Sequence, residues 1–174
     1  LKIQEELGDK LGMGITLGSI GLVHYNRGEY DKTLEYFDRS LKIREEIGDK
    51  AGMGQTLGNI GVVYYNKGEY DKAAEYLEKS IAIQKEIGLK ELETTTYLYL
   101  SYRHLDKDYD EQDIHSLIKD AENIEYEINF GISQLLGDTS YLKTAYKQVQ
   151  EKASAMDDGK KFFSYPIPKA IVEE

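Results

Sequence analysis

The sequence predicts an all-α solenoid of antiparallel helix pairs, and three observations carry that prediction. Residues 1–40 and 41–80 are identical at 27 of 40 positions, a fixed period that marks stacked units, each burying its apolar face against its neighbours. Within a unit, apolar residues recur every three or four positions, as they do along one face of a helix. Glycines stand at 8, 28, 48, 68 and 88, where helices of that length must stop. A stacked-repeat architecture points to a binding scaffold and not to an enzyme.

Taken in order, the first helix is expected over 10–26, with Met13, Leu17, Ile20 and His24 on its apolar face. The second is expected over 30–46, with Leu34, Phe37 and Leu41. The copy repeats this at 50–66, through Met53, Leu57, Ile60 and Tyr64, and at 70–87, through Ala74, Leu77 and Ile81, with Ile83 and Ile87 extending the apolar surface. Each helix is roughly 25 Å long at about 1.5 Å per residue. Asp9 and Asp49 follow a glycine and suit N-caps, and joints of two or three residues force neighbouring helices antiparallel. The first helix bears a cost, because Gly12, Gly14, Gly18 and Gly21 each lose roughly 1 kcal/mol against alanine in a helix interior. Tertiary contact must offset it, so another helix is expected to approach closely there.

A third unit, TTTYLYLSYRHLDKDYDEQDIHSLIKDA over 94–121, aligns through Tyr97, Leu100 and His104, then Ile114, Leu117 and Ala121, with Ser101 in place of a glycine. A fainter pair follows: Ile124, Ile128, Ile132 and Leu135 mark one helix ended by Gly137, and Tyr141, Leu142, Ala145, Tyr146 and Val149 mark the next. The expected organisation is therefore repeats over 1–121, a degenerate helix pair over 122–156, and a capping segment over 157–174. In that last segment Pro168 opens a short helix, and Phe162, Phe163 and Tyr165 cover the open end; docking of the tail on a partner is the alternative. Leu1 corresponds to Leu41, late in a helix, so the chain is expected to begin in mid-repeat as part of a longer protein.

Composition narrows the function classes. With 174 residues, 40% of them hydrophobic and 11% aromatic, the chain can bury a core. Fifteen tyrosines against four phenylalanines and no tryptophan suit half-buried rings that line grooves. The lack of cysteine excludes disulfides, thiolate metal sites and cysteine nucleophiles, and a reducing, cytoplasmic location is expected. No apolar run reaches the roughly 20 residues of a membrane span, and no membrane partner is expected. The net charge of −10 is concentrated late: residues 1–90 hold 13 Lys and Arg against 15 Asp and Glu, and residues 91–174 hold 9 against 17. That second half repels a phosphate backbone, which argues against nucleic acid.

Three patterns resemble reactive sites and fail on inspection. GMGITLG at 12–18 follows the helical KIQEELGDK, not the strand that a nucleotide-binding loop requires. Asp106, Asp108 and Asp110 have calcium-loop spacing, but Glu111 stands where glycine is needed and Leu117 where the bidentate glutamate belongs. His24 and His104 fall where the repeat wants a tyrosine-like ring, and His115 has no paired cysteine or histidine. No catalytic residue, metal or cofactor is expected.

Leu17, Ile20, Gly21, His24, Thr33, Phe37 and Ser40, and again Leu57, Ile60, Gly61, Tyr64, Ala73, Leu77 and Ser80, stand at the spacing of the tetratricopeptide repeat signature. The chain resembles that family, with units of 40 residues in place of the usual 34, as in the extended repeats of kinesin light chains and Pins-like spindle-orientation adaptors. The likeness is strongest over 1–90, weaker to 121 and weakest beyond. More loosely, the chain also resembles repeat segments beside the catalytic domains of microbial signalling proteins.

The resemblance implies a right-handed superhelix whose first helices build a concave wall that grips a peptide or protein segment. By position, that wall comprises Ile15, Gly18, Ser19, Leu22, Tyr25 and Asn26; Gln55, Gly58, Asn59, Val62, Tyr65 and Asn66; and Thr95, Leu98, Tyr99, Tyr102 and Asp106. None is basic, which argues against the carboxylate clamp of some family members. Asn59 suits a hydrogen bond to an extended main chain, and Tyr25 and Tyr65 suit packing against its side chains. Asn26 and Asn66 also read as closing the turns into Gly28 and Gly68. The function expected is a protein-interaction scaffold. The alternative is a regulatory or oligomerisation module of a larger signalling enzyme, such as a nucleotidyl cyclase or kinase, with self-association or contact to other domains; a third reading is a receptor for a short signalling peptide.

Overall fold

Asp9 and Asp49 set the start of the first helix in each repeat, their carboxylates accepting from the backbone N–H of Gly12 at 2.8 Å and of Gly52 at 2.9 Å. Glycines at 8, 28, 48, 68, 88 and 137 adopt φ between 67° and 75° and end or join the helices, a conformation that only glycine adopts without strain. In this computed structural model, which describes residues 8–89, 91–121 and 124–154, eight helices result: α1 (Lys10–Asn26), α2 (Tyr30–Ile47), α3 (Lys50–Asn66), α4 (Tyr70–Glu86), α5 (Leu92–His104), α6 (Glu111–Asp120), α7 (Tyr126–Leu136) and α8 (Thr139–Ser154). No strand occurs among the described residues. The first four helices match the expected bounds to within a residue, and the expected cap at 157–174 lies outside the described residues.

The protein is an all-α helical repeat. Lys10 at the start of α1 pairs with Glu46 at the end of α2 at 2.9 Å, and Lys50 of α3 pairs with Glu86 of α4, so each hairpin is antiparallel. These exposed pairs contribute little energy; the hairpins are held from inside. Ser40 donates to the carbonyl of Gly14 and Ser80 to that of Gly54, each at 2.7 Å and fully buried. Gly21 faces the ring of Phe37 so closely that a Cβ would lie 2.6 Å from two ring carbons, and one at Gly61 would lie 2.5 Å from Leu77. The helix-propensity cost of these two glycines is thus offset by packing that any side chain would block.

Hairpin joins hairpin through Phe37, Ile60 and Val63, all buried, with Leu34, Leu41 and Tyr64 packed around them. Val23 occupies on α1 the place that Val63 occupies on α3, yet it is 50% exposed where Val63 is 0%. The face covered in the second repeat is open in the first. α5 packs on α4 and α3 and buries Thr96, Leu98, Tyr99 and Leu100. Ser101, at the glycine position, turns its hydroxyl onto its own helix at the Tyr97 carbonyl, 2.7 Å away.

The chain divides into two compact units, residues 1–109 and 110–174, so α5 belongs to the first and α6 to the second. In the second unit α7 packs on α8 through Tyr126, Phe130, Ala145 and Val149. Asn129, only 3% exposed, donates to the carbonyl of Ile124 and to Gln148, which itself donates to that same carbonyl at 2.6 Å. Every buried polar side-chain atom among the described residues has a hydrogen-bond partner.

Two glycines in one helix give opposite expectations. At Gly61 a methyl group collides with Leu77, and Gly61→Ala is expected to lose about 1–3 kcal/mol through overpacking. At Gly54 the nearest atoms to a Cβ, on Ile83 and Gln84, stand at 3.5 and 3.6 Å, and Gly54→Ala is expected to gain about 0.5–1 kcal/mol of helix propensity. Denaturant melts of both variants check the signs.

Candidate functional site

The first helices of the two repeats border a common hollow. A cavity of about 530 Å³ opens in the first unit, walled by Leu11 and Ile15 of α1 and by Gln55, Gly58, Asn59 and Val62 of α3. Glu91, Glu93 and Thr94 at the start of α5 complete one end. The last turns and joints of the second helices add Arg44 and Asp49, then Gln84 and Leu89.

Arg44 is 8% exposed and its guanidinium is tied into the wall by two hydrogen bonds. Nη1 donates to Asp49 Oδ2 at 2.8 Å and Nε donates to Ser40 Oγ at 3.2 Å. A Cβ at Gly52 would fall on the same guanidinium, so the glycine makes the arginine's berth. Asp49 therefore performs two tasks with its two oxygens, since Oδ1 caps α3 while Oδ2 neutralises Arg44. One repeat later, Gln84 stands in the arginine's place and donates to Thr94 Oγ1 at 3.3 Å, a neutral link to a different partner.

Of the residues expected on the wall, the cavity brings together Ile15, Gln55, Gly58, Asn59 and Val62. Ser19 is exposed and donates to the Ile15 carbonyl of its own helix at 3.1 Å, and Leu22 and Asn26 are exposed nearby on α1. Tyr25 and Asn66 join the two repeats: the Asn66 amide donates to the Tyr25 hydroxyl at 2.8 Å and to the Val62 carbonyl at 3.0 Å. Tyr65 is enclosed by the rings of Tyr70, Tyr97 and His104, and burial raises its phenol above the ordinary value. Tyr70 and His104 stack face to face with centroids 4.0 Å apart.

On α5, Thr95 is buried and donates to the Glu91 carbonyl at 3.0 Å, Leu98 is core, and Tyr99 stacks on Tyr109. Tyr102 donates to Glu78 of α4 at 2.8 Å, and burial together with that carboxylate pushes its phenol up to about 12. Asp106 is exposed, with φ of 52°. The cavity also uses residues that the sequence reading did not place there: Leu11, Arg44, Asp49, Gln84, Leu89, Glu91, Glu93 and Thr94. Most of them sit at helix ends. Their signal was the repeat register itself, in which Arg44 and Gln84 occupy one position and Asp49 and Leu89 another.

Among the described residues no group of three or more His, Asp or Glu side chains is arranged to hold a metal ion, and no helix is long and apolar enough to cross a membrane. Residues 12–86, spanning nearly all of α1 to α4, match the family model described as tetratricopeptide repeat. No curated protein matches the chain.

The paired aspartates provide an internal control. Asp9→Ala removes a cap alone and is expected to cost about 1 kcal/mol. Asp49→Ala removes the equivalent cap and strands the buried Arg44, raising the expected loss to about 3 kcal/mol or more, as read from denaturant midpoints.

Proposed function

We propose that this protein, whose residues 12–86 match the tetratricopeptide repeat family model, is an interaction scaffold that holds a segment of a partner protein in the cavity walled by α1, α3 and the start of α5. Repeats of this family generally serve protein–protein interaction, and the position of Asn59 and Gln55 in the wall supports the finer reading. Their amides can both donate to and accept from an extended main chain, while Leu11 and Ile15, each 51% exposed, offer apolar contact beside them. The single observation that carries the proposal is that the half-buried Asn59 lines a cavity large enough for side chains of another polypeptide.

Peptides selected from a random library against the protein test this directly. Asn59→Ala is expected to weaken them roughly 2- to 12-fold, the worth of one hydrogen bond of about 0.5–1.5 kcal/mol, with the melting temperature unchanged. Unaltered affinity would remove Asn59 from the site.

A second reading, packing against a further domain or a second copy within a larger signalling protein, rests on a different observation. Val23 lies open on the face that the preceding hairpin covers at Val63. Sedimentation across a concentration series separates the two, since only the second reading requires self-association of the isolated chain or capture by another domain.

A further inference from the structure

We propose that the groove selects a segment carrying an aliphatic anchor beside a lysine or arginine, and disfavours acidic segments and free C-terminal carboxylates; this inference rests on the groove being the binding site. The aliphatic part follows from comparing the repeats. Leu11 and Ile15, one turn apart on α1, border the cavity, and each is 51% exposed. Their counterparts on α3 are Ala51 and Gln55. An interior repeat thus stands without large apolar side chains at these two positions, and stacking does not require them in the first. Leu89, 47% exposed, adds a third apolar surface on the same cavity. Together the three make a cleft edge suited to an aliphatic side chain.

The charge of the partner follows from how the wall spends its own. Arg44 is the only cation among the described residues lining the cavity, and it is buried, bonded to Asp49 and Ser40. Its counterpart Gln84 is neutral. A carboxylate entering the groove therefore meets an Arg44 charge already balanced by Asp49, whereas Glu91 and Glu93, both exposed, stand at the end of the cavity. Position at a helix start accounts for acidic residues in general, through the macrodipole, and still leaves these two on the edge of the cavity where a partner's cation would come to rest. Opposite charge at such a rim acts mainly on selection and association rate, and is weakened by salt.

Three fluorescein-labelled 12-residue peptides with a common Leu-rich centre and amidated ends, flanked by lysine, glutamine or glutamate, test the inference by anisotropy at low and high salt. The lysine-flanked peptide is expected to bind at least tenfold more tightly than the glutamate-flanked one at low salt, with the gap narrowing as salt rises. Glu91→Gln combined with Glu93→Gln is expected to bring the lysine-flanked peptide to the affinity of the glutamine-flanked one, and Leu11→Ala with Ile15→Ala to weaken all three. These four side chains are exposed, and circular dichroism melts check that the variants fold. Equal affinity for the three peptides, or a preference for the glutamate-flanked one, overturns the charge selection and leaves the groove as a binding site. Binding unchanged in the Leu11 and Ile15 variant overturns the anchor, and binding of none of the three overturns both the inference and the reading beneath it.

Discussion

A serine hydroxyl reaching across each hairpin to a glycine carbonyl fixes the distance at which the helices pack, and the rest of the first unit is built on that distance. Ser40 meets Gly14 and Ser80 meets Gly54 at the same 2.7 Å, forty residues apart. About two helical turns further on, Gly21 and Gly61 admit Phe37 and Leu77 against bare backbone. A hydrogen bond buried this deeply is modest in net energy but costly to leave unmade, and it tolerates little change in separation. With the hairpin geometry set in this way, Phe37 is delivered to Ile60 and Val63 of the next repeat, and α1 and α3 come to line one cavity.

What differs between the two repeats is where the function proposed for this protein resides. The packing positions are nearly invariant: Ser40 and Ser80, Gly21 and Gly61, Tyr25 and Tyr65, Gly28 and Gly68. The wall and its ends are not. Arg44 becomes Gln84, Asp49 becomes Leu89, Leu11 becomes Ala51 and Ile15 becomes Gln55. A repeat array can vary these residues without disturbing its nearest-neighbour interfaces, so the cavity acquires an amide-bearing centre, an apolar edge and an acidic end while the scaffold stays the same.

The sequence was most informative where a residue's role is set inside its own hairpin. Glycines at fixed spacing located the joints, and the apolar period placed the first four helices to within a residue, because caps and helical faces are local properties. Contacts between repeats were harder to read. Tyr25 and Asn66 stand 41 residues apart and share a hydrogen bond, and Tyr65 meets Tyr97 and His104 of α5; on a linear register Tyr25, Tyr65 and Asn66 appear as wall positions and Tyr97 and His104 as apolar-face positions, with nothing to pair them. Arg44 is hard to place in the groove from the sequence for a related reason. It belongs to a second helix, and only the turn through Gly48 returns it to the first helix of the following repeat, over Gly52. Beyond α5 the period weakens, and Ile114 takes its buried place in a separate compact unit.

The stacked hairpins depend on the glycine faces being packing surfaces, and a double-mutant cycle between Gly21→Ala and Phe37→Leu measures that dependence most directly. If the added methyl group collides with the phenyl ring, shortening the ring relieves the collision, and the double variant is expected to be more stable than the sum of the single losses by about 1 kcal/mol or more. Losses that add to within roughly 0.5 kcal/mol would show that Gly21 and Phe37 do not meet, and would contradict the close helix approach on which the wall is built.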